Sequence, residues 1–62
     1  MRFIVEINCD GDAFGESPMS VRYEVIRILD VVAMKLRRRD FAVTCTDING
    51  NTVGRAEFQE SE

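Results

Sequence analysis

Asn49-Gly50 sits between two alternating runs, 41–46 and 53–58, and this dipeptide constrains the fold more than any other feature of the chain. Both residues tolerate positive φ, so Asn-Gly between alternating runs predicts a β-hairpin with a two-residue type I′ turn. Such a turn pairs Cys45 with Gly54, Val43 with Ala56 and Phe41 with Phe58. Those six residues make one apolar face. The opposite face then holds Thr44 with Arg55 and Ala42 with Glu57. A slip of one residue would mix the faces, so the pattern specifies a register.

Upstream, Phe3, Val5, Ile7 and Cys9 alternate with Ile4, Glu6 and Asn8, which predicts a half-buried first strand over 2–9. Residues 10–18 carry two glycines, acids and a proline, the composition of a loop. A helix follows. Ser17 is a candidate N-cap before Pro18 at the first helical position, with Ser20 as the alternative cap. Val21, Val25, Ile28, Leu29, Val32 and Leu36 form its core-facing stripe. Arg37, Arg38 and Arg39 close it, where positive charge suits the negative end of the helix dipole.

The fold expected is α+β, β-α-β-β, with one helix packed on one face of a three-stranded sheet. The helix returns the chain, so the first two strands run parallel and the third runs against both. Placing the third strand between them makes every pairing antiparallel, order 1-3-2, and is favoured over the rival order with the first two strands adjacent. Gly54 and Ala56 then lie under the helix and are small enough to let it sit close. The domain spans 1–58, and 59–62 is read as a frayed polar tail.

A 62-residue chain is one marginal domain that gains from a partner. No apolar run is long enough to span a bilayer, and 1–6 reads as strand and not as a signal peptide, so a cytosolic protein is expected. The net charge of −3 opposes nucleic-acid binding as a general property. Cys9 and Cys45 are read as free thiols. With two cysteines and no histidine, the chain lacks the usual four-ligand zinc set, and neither metal nor cofactor is expected.

The loop Asp10-Gly11-Asp12-Ala13-Phe14-Gly15-Glu16 has the outline of a calcium loop. Phe14 and Val21, however, stand where oxygen ligands belong, so it reads as a turn with Phe14 folded onto the core. Cys9 is the best candidate nucleophile, but a small core residue is the reading preferred. No serine elbow or phosphate-binding glycine loop is present, and no enzyme is expected.

The back of the helix is more informative. Tyr23, Ile26 and Met34 fall there with Arg27, Asp30 and Arg37, and Val31 lies on a flank. A helix covering a sheet needs only one apolar face, so these six residues are the candidate protein-binding surface. The alternative is nucleic-acid binding through Lys35, Arg37, Arg38 and Arg39. Adjacent arginines point in different directions, however, and no aromatic residue interleaves with them. The first strand is an edge with few blocking features beyond Arg2 and Glu6, open to pairing with another strand.

The segments Arg2-Phe3-Ile4-Val5-Glu6-Ile7, Asp12-Ala13-Phe14, Glu24-Val25-Ile26-Arg27-Ile28-Leu29 and Asp47-Ile48-Asn49-Gly50-Asn51-Thr52-Val53-Gly54 carry a resemblance. Together they look like a family of very short phage, prophage and mobile-element proteins, mostly of unassigned function. The resemblance covers most of the chain and implies a source, not a chemistry. Val31 and Met34 depart from it, standing where charged residues are expected. The reading is a phage-type accessory protein that binds another protein. A host enzyme or a defence complex would be its target, in the manner of anti-CRISPR inhibitors. Homodimerisation is compatible with that reading.

Overall fold

The computed structural model describes residues 1–60 and shows an α+β fold. Strand β1 (Arg2–Ile7) leads through a 3-10 turn (Asp12–Phe14) into helix α1 (Pro18–Arg37), followed by β2 (Ala42–Thr46) and β3 (Thr52–Gln59). The sheet order is β1-β3-β2, with both pairings antiparallel, as the favoured order requires. β1 is shorter than its alternating pattern, since Cys9 lies beyond it. Gln59, assigned to the polar tail, is instead the last strand residue and stands opposite Arg2. Residues 61–62 of that tail lie outside the described residues.

The hairpin reaches its expected register by an unexpected route. The Gly50 N–H donates to the Asp47 carbonyl (3.0 Å), and the Asp47 N–H donates to the Asn51 carbonyl (2.9 Å). The loop therefore has three residues, Ile48, Asn49 and Gly50, and of these only Gly50 has positive φ (88°). The two-residue type I′ turn is replaced by a turn that ends on a left-handed glycine. Asp47 explains the choice. Its Oδ1 accepts from the Asn49 and Asn51 N–H groups (2.9 Å each), and its Oδ2 accepts from Asn51 Nδ2 (3.3 Å). A carboxylate that gathers the loop amides in this way stabilises the longer turn. The longer loop sets Thr46 opposite Thr52, one place off the expected pairing. A β-bulge at the next step restores it, so Cys45 faces Gly54, Val43 faces Ala56 and Thr44 faces Arg55.

Three cross-strand rows line the inner face of the sheet: Phe3-Phe58-Phe41, Val5-Ala56-Val43 and Ile7-Gly54-Cys45. The phenylalanine rings touch in sequence, with Phe58 4.8 Å from Phe3 and 5.6 Å from Phe41 between centroids. The core is built from Phe14, Ile28, Val32, Val43, Cys45 and Ala56. Phe14, expected to fold down onto the core, is fully buried.

Helix α1 begins at a capping box. The Ser20 N–H donates to Ser17 Oγ (3.1 Å), and the Ser17 N–H donates to Ser20 Oγ (3.2 Å). It ends in a Schellman arrangement, with the Arg39 N–H on the Leu36 carbonyl (2.9 Å) and the Asp40 N–H on the Lys35 carbonyl (3.1 Å). Arg39 holds the left-handed position usually taken by glycine, with φ 72°.

The helix is not centred over the sheet. Its close approaches are to β2 and to the 3-10 turn. Its buried line runs through Glu24, Ile28 and Val32, with Val21, Val25 and Leu36 half-buried. Leu29, expected in the stripe, is 42% exposed. The helix has rolled toward the hairpin, which lifts Leu29 away from the core and brings Glu24 in.

Candidate protein-binding surface

The roll of α1 has a polar cause. Glu24 is buried, and Arg27 reaches it with two hydrogen bonds, Nε to Oε1 (2.9 Å) and Nη2 to Oε2 (3.0 Å). Glu24 Oε2 also accepts from the Ile48 backbone N–H (2.9 Å), and Arg27 Nη2 donates to the Thr46 carbonyl (2.8 Å). This four-bond latch ties the first half of the helix to the hairpin loop. A carboxylate that receives both a guanidinium and an amide can stay charged under partial burial.

Both acids of this region are held below their ordinary pKa. For Glu24 the chief cause is the Arg27 hydrogen bond; for Asp47 it is the Asn51 backbone N–H. A carboxyl whose folded pKa is depressed binds fewer protons folded than unfolded. Its contribution to stability is present in full above the ordinary values of 4.5 and 3.8, and is lost as pH falls through the depressed ones. Thermal unfolding should therefore show a falling melting temperature as pH drops below about 5. Glu24→Gln should cost about 1–2 kcal/mol near neutral pH and should flatten part of that acid slope. An unchanged slope in Glu24→Gln would show that the latch carries no pH dependence.

The latch corrects one member of the candidate surface. Arg27 is turned toward the hairpin, where its guanidinium is spent on Glu24 and Thr46. The other five candidates, Tyr23, Ile26, Asp30, Met34 and Arg37, are exposed on α1. Tyr23 is 64%, Ile26 51% and Met34 47% exposed. Met19, 54% exposed and four residues before Tyr23, joins them. At about 100° per residue, Met19, Tyr23, Ile26, Asp30, Met34 and Arg37 form a second stripe, roughly opposite the buried one. Met19 was legible in the sequence from that spacing alone. Glu24 was not: the only hint was an arginine three residues on, and its acceptance of the Ile48 amide depends on where the hairpin folds.

The basic residues do not converge. Arg37, Arg38 and Arg39 are exposed, and Arg38 lies 3.7 Å from Asp40. Lys35 is half-buried, two residues from Arg37 and so about 200° around the helix axis from it. Its charge acts on Cys45, whose thiol is nonetheless pushed up by burial. Cys9 is half-buried, and its thiol donates to the Ile7 carbonyl (3.7 Å).

A polar cleft lies between the acidic loop and the hairpin, lined in part by Asp10, Asp12, Asp47 and Asn51. Its most buried carboxylate, Asp47, is the loop anchor already described. Among the described residues, no group of three or more histidine, cysteine, aspartate or glutamate side chains is placed to hold a metal ion. Among the same residues, no helix is long and apolar enough to cross a membrane.

Comparison with protein-family models, with curated proteins and with solved structures found no match for this chain.

Proposed function

We propose that this protein is a non-catalytic, cytosolic accessory domain that acts by binding another protein through the outer stripe of α1. The observation that supports it is the stripe itself. A helix whose inner face already covers a sheet presents Met19, Tyr23, Ile26 and Met34 to solvent at helical spacing. Tyrosine and methionine are residue types enriched at interfaces. Arg22 flanks the stripe, Arg37 ends it and Asp30 interrupts it, so the complementary surface is an apolar groove with an acidic rim. In line with the phage-type proteins that the sequence resembles, the partner proposed is a host factor or a defence complex, and the effect is inhibition.

Tyr23→Ala combined with Met34→Ala should weaken binding to a purified partner about 10–100-fold. Both side chains are largely exposed, so the melting temperature should stay near wild type. Affinity capture with the wild-type chain, compared with the double variant and a Thr44→Ala control on the outer sheet face, identifies the partner. Isothermal titration then measures the loss. Equal affinity for wild type and double variant would overturn the proposal.

A further inference from the structure

We infer that β1 is a self-pairing edge: two copies of this chain join antiparallel through residues 2–6, making one continuous six-stranded sheet. The occupant is a second copy because the edge is complementary to itself.

The two edges of the sheet differ. On β2, the Thr46 carbonyl is taken by Arg27 Nη2. On β1, the Asn8 N–H donates to the Val53 carbonyl (2.7 Å), directly across the ladder. Hydrogen-bonded and non-hydrogen-bonded pairs alternate in an antiparallel ladder. Glu6, Ile4 and Arg2 therefore turn their backbone groups toward β3, and Phe3, Val5 and Ile7 turn theirs outward. The Cys9 thiol donates to one of these outward carbonyls, that of Ile7. The backbone groups of Phe3 and Val5 remain for a partner strand.

An antiparallel pair of identical strands is fixed by which residue lies on the two-fold axis. Centring on Ile4 sets Phe3 opposite the second copy's Val5, so the outward backbone groups face each other. The same register sets Arg2 opposite the second copy's Glu6, and Glu6 opposite its Arg2. Neighbouring registers place Arg2 against Ile4 or Asn8 and form no ion pair. Among the described residues, Arg2 and Glu6 are exposed and take part in no ion pair within the chain. On the inner face, Phe3 and Val5 are each 36% exposed, because α1 leans toward β2. Pairing would bring Phe3 and Val5 of both copies together. Leu29, 42% exposed, lies on the helix flank turned away from the latch.

Sedimentation velocity over a concentration series, with native mass spectrometry, tests this register. The wild-type chain should form a species of twice 7.1 kDa, weakened by salt. Arg2→Glu alone, and Glu6→Arg alone, each place like charges opposite one another at both ends of the seam. Each should weaken dimerisation at least tenfold. Mixing the two variants should restore a dimer containing one of each, resolved by mass, and the double exchange Arg2→Glu with Glu6→Arg should also restore it. A wild-type chain that stays monomeric at every concentration would overturn the inference. So would single variants that dimerise like wild type, or a mixture that stays monomeric. Tyr23→Ala with Met34→Ala leaves this edge untouched and should not alter the dimer, so failure here is distinguishable from failure of the helix-stripe proposal.

Discussion

Gly54→Ala is expected to remove a third or more of the stability of the fold. A β-carbon at Gly54 would stand 1.9 Å from the Glu6 carbonyl oxygen and 3.0 Å from the Ile7 Cα. Both obstacles are backbone atoms of β1, so no side-chain rotation relieves them. The strands would have to separate where Ile7 faces Gly54, on the central strand of the sheet. A cost of about 3 kcal/mol or more is expected from forced overpacking against backbone. A domain of this length has a total stability of roughly 3–9 kcal/mol. Urea unfolding followed by circular dichroism would show the midpoint collapse. A shift of less than about 1 kcal/mol would mean that β1 moves aside freely. The sequence suggested a small residue here so that the helix could sit close. The structure places the constraint on the opposite neighbour, β1. Close approach of strands beside a bulge is a usual reason for glycine within a strand.

Phe14→Ala is the second large loss, expected at about 3–5 kcal/mol. Phe14 is fully buried although it belongs to a three-residue turn in the long connection between β1 and α1. Its ring joins the cluster of Ile28, Val32 and Val43. Its carbonyl accepts from Ser20 Oγ (2.8 Å), which ties the turn to the helix start. Truncation would leave a cavity that only the exposed loop could fill. Denaturant titration should show the loss, and Phe14→Leu, which keeps most of the volume, should recover more than half of it. Equal losses for both variants would assign the effect to the loop backbone and not to the ring.

Phe14 and Gly54 show how much of this protein could be read in advance. Phe14 stood out as a large apolar residue in an acidic, glycine-rich loop, and its burial followed from that contrast. Gly54 was placed on the correct face and opposite the correct partner in β2, because alternation fixes both. Its true obstacle belongs to β1, which is distant in sequence. Of the candidate surface, Tyr23, Ile26, Asp30, Met34 and Arg37 were placed on the exposed side by helical period alone. Arg27 was misplaced because the same period cannot register an acceptor carbonyl that arrives from residue 46.

The hairpin divides the two kinds of information most clearly. Local pattern determined that it exists, which residues share a face and that Cys45 meets Gly54, because side chains alternate with a fixed period of two. Local pattern also determined the helix and its cap, because Ser17, Pro18 and Ser20 act within one turn. Tertiary structure decided how the turn is made, since Asp47 gathers the amides of a three-residue loop and a bulge takes up the extra residue. It also decided how the helix lies. Glu24 and Arg27 bind the hairpin, the helix leans toward β2, and Phe3, Val5 and Leu29 are left exposed. Periodicity depends only on neighbours a few residues apart, whereas the tilt of the helix depends on hydrogen bonds between residues about twenty positions apart in the chain.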